Sequence, residues 1–183
     1  MLNFFKDLGL LLFNGRFWRN FLPIPAKSKL ALGNTVPNFK LTDITNNAEI
    51  ELSNYQGDRP VILAFTRIFT EKHYCPLCKP HIKELNDNYD NFKSKGIELL
   101  MITSIDAEQC QKAISDLGLK MPLLSDPDCE VFKSYKVGQA LGAPLSGQFV
   151  LDREGKLQYK HLFSFLSPNA SSEKLQSILE PAS

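Results

Sequence analysis

Val61-Ile62-Leu63-Ala64-Phe65 is an unbroken apolar run of strand length. A strand with no polar alternation has no face to turn to water, so it belongs in a sheet covered on both sides. A loop from Thr66 to Tyr74 separates this run from Cys75-Pro76-Leu77-Cys78. Beyond the cysteines, Ile82, Leu85, Tyr89 and Phe92 fall at helical spacing, and Gly96 ends that stripe. Ile97 to Thr103 is a second buried strand. Strand, helix and strand over 61–103 predict a right-handed crossover between parallel strands.

The flanks agree with such a sheet. Phe39 to Thr42 and Ala48 to Leu52 alternate around an Asn46-Asn47 turn and read as a hairpin. Ala107 to Leu117 reads as a helix stopped by Gly118, and Val131, Phe132 and Tyr135 mark a short one after Ser125-Asp126-Pro127-Asp128. Gln148 to Leu151 and Lys156 to His161 form a second hairpin around Asp152-Arg153-Glu154-Gly155. Ser171 or Ser172 caps a last helix bearing Leu175, Ile178 and Leu179. Strands and helices in this order predict a three-layer α/β/α sandwich over residues 32–183.

Residues 1–31 stand apart as an N-terminal extension. Phe4, Leu8, Leu11 and Leu12 lie at helical spacing, Phe17, Phe21 and Leu22 continue the stripe, and Pro23 and Pro25 end it. The preferred reading is an amphipathic helix packed on the domain, on a partner subunit in a homodimer, or on both. Membrane-surface contact by this helix is the less favoured alternative, because its polar face is not rich in Lys and Arg. The apolar stretch Leu8 to Phe13 is short, follows Asp7 and lacks a small-residue cleavage site, so it reads as mature sequence.

The chain has 183 residues, enough to bury a core without disulfide staples. Its 21 basic and 20 acidic residues leave a net charge of +1, which gives no field to gather nucleic acid. Four cysteines are too few for a disulfide scaffold and fit a reducing compartment, so a cytoplasmic protein is expected.

Two of those cysteines carry the chemistry. With Pro76 at the first helical position, Cys75 falls at the N-cap of the helix. Free N–H groups and the positive end of the helix dipole favour a thiolate there. Cys78 lies one turn further in, able to reach Cys75, more buried and less ionised. Arg67, His73 and Lys79 are placed to add positive potential. Zinc is not expected: structural zinc takes four ligands in two pairs, Cys110 and Cys129 have no partners at that spacing, and His81 reads as a helix-surface residue. Cys110 sits on the apolar face of its helix and reads as packing. Cys129 reads as a small buried residue, a second resolving cysteine being the alternative.

At this point the sequence resembles the AhpC/TSA (redoxin) branch of the thioredoxin superfamily. The resemblance rests on Gly33 with Val36-Pro37-Asn38-Phe39 and Leu52 to Gly57, on Val61 to Thr66, on Pro122-Leu123-Leu124-Ser125-Asp126-Pro127, and on Phe149 to Leu157. It implies a thioredoxin-like fold, no cofactor, a peroxide or disulfide substrate and a thioredoxin-type reductant. It makes Cys75 the peroxidatic and Cys78 the resolving candidate: the thiolate attacks the O–O bond, and the sulfenic acid condenses with the second thiol.

The family's active-site helpers are displaced. Ile68 and Lys72 stand where it places Pro and Thr/Ser before the cysteine. Thr70 is two residues too far away. Ser146 falls where the family has a later Arg or thioredoxins a cis-Pro, and Pro144 is the nearest proline. Thr70, Lys72 or Arg67 would substitute only if the loop folds back. The leading expectation is therefore thiol-dependent peroxide reduction. The alternatives are protein thiol–disulfide exchange, which the close Cys75–Cys78 spacing favours, and a non-catalytic binding protein on the same fold.

Overall fold

The computed structural model describes residues 15–70 and 72–179. The apolar positions Phe4, Leu8, Leu11 and Leu12 lie outside the described residues.

The elements run in chain order as follows. Helix α1 spans Gly15–Arg19, strand β1 Lys40–Asp43 and β2 Ala48–Glu51, and a 3-10 turn covers Leu52–Tyr55. Strand β3 spans Val61–Phe65, β4 Ile68–Thr70 and β5 His73–Tyr74. Helix α2 spans Lys79–Asp87 and α3 Tyr89–Ser94, followed by β6 at Glu98–Thr103 and α4 at Ala107–Leu117. Then come β7 (Leu123–Ser125), α5 (Glu130–Tyr135), β8 (Gln139–Ala140) and β9 (Ala143–Pro144). Strands β10 (Gly147–Leu151) and β11 (Leu157–Leu162) precede α6 (Ser172–Ser177).

Seven strands form one sheet in the order β11-β10-β3-β6-β7-β1-β2. β3, β6 and β7 are parallel neighbours, and the hairpins β10–β11 and β1–β2 flank them antiparallel. The fold is thus the layered α/β sandwich expected from the order of elements, and the thioredoxin-like one that the resemblance implies. β3 shows why its sequence lacks alternation. Ile62 and Ala64 point into one core with Ile82, Leu85 and Phe92, while Val61, Leu63 and Phe65 point into the opposite core with Phe132, Tyr135 and Phe149. Each buried Val, Leu, Ile or Phe among them contributes about 1.5–3 kcal/mol by leaving water.

Local signals set most boundaries. Asp106 accepts from Gln109 N–H at 2.9 Å to cap α4, and Gly118 takes φ +60 at its end. Ser171, not Ser172, caps α6, accepting from Lys174 N–H at 3.2 Å. The single helix expected after the cysteines is broken at Asn88, whose Nδ2 donates to Glu84 O at 2.9 Å. That side chain satisfies a carbonyl of the last turn of α2, and the apolar stripe continues through α3.

In the extension, α1 ends four residues before Pro23. Arg16 is buried and donates to Ser104 O and, at 2.6 Å, to Phe69 O, which pins α1 to the loop after β6 and to β4. Ile24 then pairs with Gln139. Gly138 permits this approach: at φ +83, a Cβ there would lie 2.5 Å from Ile24 O. No helix among the described residues is long and apolar enough to cross a membrane.

Candidate dithiol site

The expected loop between β3 and Cys75 contains a small hairpin, with Ile68 opposite Tyr74 and Thr70 opposite His73. It folds the chain back, so that Arg67 at its root and Cys75 at its end meet at the carboxyl end of β3. Cys75 to Cys78 then form a tight turn. Cys78 N–H and Lys79 N–H both donate to Cys75 O, at 3.0 and 2.9 Å. Pro76 occupies the second position of the turn, where its fixed φ is preorganised.

This corrects the expected cap. Cys78, not Cys75, holds the N-cap place, and Pro80 rather than Pro76 lies in the first turn of α2. The turn nevertheless supplies what a helix end would. The backbone N–H groups of Leu77 and Cys78 favour charge on the Cys75 sulfur.

The two thiols are electrostatically unlike. Cys75 is 5% exposed and Cys78 is 1% exposed. A hydrogen bond from the Cys78 thiol, those two backbone N–H groups and the Arg67 guanidinium pull the Cys75 pKa down to about 6, against the effect of burial. The bond to Cys75, burial and the neighbouring thiolate push Cys78 the other way, far above the ordinary thiol range. At neutral pH the pair therefore holds one negative charge, on the outer sulfur. Arg67 is itself buried; it donates to Ala140 O and stacks on Phe69, 4.7 Å from the ring centroid.

The other sequence candidates divide. Ser146 is buried, its Oγ donating to Pro168 O at 3.1 Å, and its hydroxyl is the weakest of the groups that act on the Cys78 pKa. Thr70 is not brought to the site, because its Oγ1 pairs with His73 Nδ1 at 3.0 Å and accepts from the N–H groups of Lys72 and His73 in the exposed hairpin tip. His73 and Lys72 go with it. Lys79 lies over the Tyr74 ring, 4.6 Å from its centroid. Ile68 is fully buried in the core under β4. Pro144 pairs with Gln139 in β9, and no cis peptide bond occurs among the described residues.

His81 is a further correction. It is buried rather than on the helix surface, its ring Nε2 lies 2.9 Å from Ala170 O, and burial lowers its pKa. The helix faces the segment before α6, which spacing alone did not place there. Cys110 packs in the core as expected. Cys129 is buried at the start of α5, with Asn20 Nδ2 donating to its sulfur at 3.7 Å. It lines a separate cavity of about 420 Å³ with Ile24, Phe132 and Pro144. Among the described residues, no three His, Cys, Asp or Glu side chains are grouped to hold a metal ion.

Two site residues escaped the sequence reading. Gln148 is buried near the start of β10, where an amide needs partners. It donates to Asn169 Oδ1 at 3.0 Å and accepts from Ala170 N–H at 3.0 Å. Asn169 in turn donates to Leu77 O at 3.1 Å, inside the cysteine turn. The polar residue in an apolar strand was the available signal, but its partner lies across a hairpin.

Fold and turn together define a thioredoxin-like protein with a dithiol at the start of its first crossover helix. The model of the AhpC/TSA family matches residues 32–160, and the chain belongs to that family. It is 30% identical over 135 residues to the thiol-disulfide oxidoreductase ResA of Bacillus thuringiensis (strain Al Hakam), covering 72% of this chain and 69% of that protein. It is 32% identical over 133 residues to a protein of Oryza sativa subsp. indica named for chloroplastic peroxiredoxin Q, covering 72% and 58%. The mitochondrial 2-Cys peroxiredoxin structure from Plasmodium falciparum shares the fold, with TM-score 0.69, 22% identity, and coverage of 81% of this chain and 92% of that one. The protein is a thiol oxidoreductase of the redoxin family.

Proposed function

We propose that the protein is a dithiol oxidoreductase that exchanges with disulfide substrates, Cys75 attacking and Cys78 closing the pair. The observation that carries this reading is the placement of two buried cysteines in one tight turn, Cys78 N–H and Lys79 N–H both donating to Cys75 O, with the Cys75 pKa drawn down and that of Cys78 pushed up. A thiolate with a pKa of about 6 is almost fully formed at neutral pH, and low-pKa thiols are also good leaving groups. The outer sulfur can thus both open a disulfide and be released from one. A thioredoxin-type reductant would return the pair to the dithiol, and a cytoplasmic setting suits the sparse cysteines.

A second reading, peroxide reduction, is favoured by Arg67, whose buried guanidinium lies close enough to stabilise the Cys75 thiolate. There the thiolate attacks one peroxide oxygen, the O–O bond breaks and the other oxygen leaves as water or an alcohol, and the sulfenic acid condenses with the Cys78 thiol, releasing water, to give the same disulfide. Thr70, turned to the hairpin tip, offers no hydroxyl for a peroxide.

The test compares the two substrates on one preparation. Turnover of insulin disulfides is expected to exceed thioredoxin-coupled peroxide consumption, and Cys75→Ser should abolish both. Faster peroxide turnover moves the assignment to the second reading, and full activity of the Cys75→Ser protein removes Cys75 from either.

A further inference from the structure

After α1 the chain from Asn20 to Lys27 runs as a strap along residues 136–142. Four contacts fix its backbone there. Gly142 N–H donates to Asn20 O at 3.1 Å and Leu141 N–H to Phe21 O at 3.2 Å. Ile24 and Gln139 exchange both backbone bonds at 2.8 Å, and Lys27 N–H donates to Lys136 O at 3.1 Å. Beside this frame, strap, α5 and the β8–β9 pair leave the cavity of about 420 Å³ unfilled. Sites for small molecules have volumes of about 300–1,000 Å³ and mostly apolar walls. The cavity contains neither reactive cysteine, so it is distinct from the dithiol site.

Its lining has two parts. Phe132 and Pro144 are buried and, with the more exposed Ile24 and Pro25, supply apolar wall. The side-chain amides that line it spend their donors inside the protein. Asn20 Nδ2 donates to Arg16 O at 2.9 Å and to the Cys129 sulfur at 3.7 Å, and Gln139 Nε2 donates to Arg19 O and Leu22 O at 3.0 and 3.2 Å. The charged part of the lining is of one sign: Lys27, Lys133 and Lys136, all exposed, with no Asp or Glu beside them. The carboxylates nearest in sequence, Asp128 and Glu130, are matched by Arg19 at 3.7 Å and by Lys133 at 2.8 Å. The Lys133 ammonium is thereby committed, and it also donates to Asp128 O at 3.1 Å. The ammonium groups of Lys27 and Lys136 donate to no acceptor among the described residues.

We propose that this cavity binds a fatty-acid-like alkyl carboxylate, its chain against Ile24, Phe132 and Pro144 and its head held by the Lys27 and Lys136 ammonium groups. A wholly polar anion would leave the apolar wall in water, and a neutral hydrocarbon would leave both cations unused. A molecule with both parts satisfies both. Lysine suits the mouth of such a site. Its flexible stem lets the ammonium close over the head, while its methylene groups extend the apolar wall.

The experiment is isothermal titration calorimetry of the full-length reduced protein with decanoate, kept below its micelle-forming concentration, and with decanol and decylammonium. Decanoate is expected to bind saturably, one per chain, and decylammonium far more weakly. Lys27→Met with Lys136→Met keeps the stems and removes both charges. The double variant should bind decanoate about five- to tenfold more weakly, the size of two exposed ion pairs, and decanol within about twofold of wild type. Added salt should weaken decanoate and not decanol. In protein with labelled isoleucine methyls, decanoate should shift Ile24 and leave Ile82, which packs in the core on the other side of the sheet from Phe132, in place. If the full chain binds no decanoate, or if the double variant binds it as wild type does, the proposal is overturned. Uptake of several decanoates per chain without a shift at Ile24 also overturns it, since the exposed Trp18 and Leu22 would give that by unspecific adsorption.

Discussion

The Asn169 side chain donates to the Leu77 carbonyl over 3.1 Å, and this bond ties the middle of the cysteine turn to the segment that follows β11. Asn169 is held in turn by Gln148 from β10, so the sheet positions the turn. Asn169→Ala frees the turn without opening a core cavity. The N–H groups of Leu77 and Cys78 then hold the Cys75 sulfur less well, and iodoacetamide alkylation of Cys75 near pH 6 should slow several-fold. An unchanged rate would show that the turn keeps its shape unaided.

The order of influences on Cys75 predicts a ranking of variants. The Cys78 thiol is the largest favourable contribution and the Arg67 guanidinium a smaller one. Cys78→Ala should therefore raise the Cys75 pKa further than Arg67→Met does, as read from thiolate absorbance against pH. The reverse order would mean that charge, not the sulfur–sulfur hydrogen bond, dominates the site.

Cys75 also links stability to pH. Its pKa is near 9.0 when unperturbed and about 6 in the folded protein. The unfolded chain therefore binds more protons between those values, and stability rises with pH across the window. The contribution is full above about pH 9 and lost as pH falls through about 6. Cys78, raised by its partner, has the opposite sign and matters only once the unfolded thiol ionises at the alkaline end. Urea unfolding of the reduced protein at several pH values, minus the same series for Cys75→Ser, should show a difference growing from pH 6 toward 9. A flat difference would contradict the lowered pKa.

His81 should be worth more to stability than a surface histidine. Replacing it with Phe leaves the buried Ala170 carbonyl without its 2.9 Å partner, an omission that costs about 1–3 kcal/mol. At this chain length each kcal/mol lowers Tm by about 2–4 °C. Because the folded-state pKa of His81 is lowered, its protonation opposes folding, and the associated stability is lost as pH falls below the ordinary histidine value. His81→Phe should flatten that part of the acid limb in a thermal scan.

Much of the fold was legible because it depends on neighbours along the chain. The all-apolar run from Val61 to Phe65 needed two cores and has them. Asp106 and Gly118 bounded α4 at the expected residues. The break at Asn88 was not legible, because an apolar stripe continues through it and only a side chain reaching back to Glu84 O reveals it. The hairpin of β4 and β5 was missed for a related reason: Ile68 pairs with Tyr74 across a register shift that strict alternation does not mark.

The candidate site divides along the same line. Cys75-Pro76-Leu77-Cys78 after a buried strand was enough to determine that two thiols meet at the start of a helix, since the spacing spans one turn. Which turn it is, and which groups charge the outer sulfur, came only from tertiary structure. Pro80 claims the helix start, which leaves Pro76 to shape the tight turn before it. The folded-back hairpin brings Arg67 to the sulfurs and carries Thr70 away from them. Asn169 reaches the turn from the segment beyond a distant hairpin, held there by Gln148 of that hairpin, and no local pattern encodes that meeting. The reactivity of Cys75 is therefore latent in a four-residue motif, while its depressed pKa and its partnership with Cys78 depend on charges and donors brought in by long-range packing.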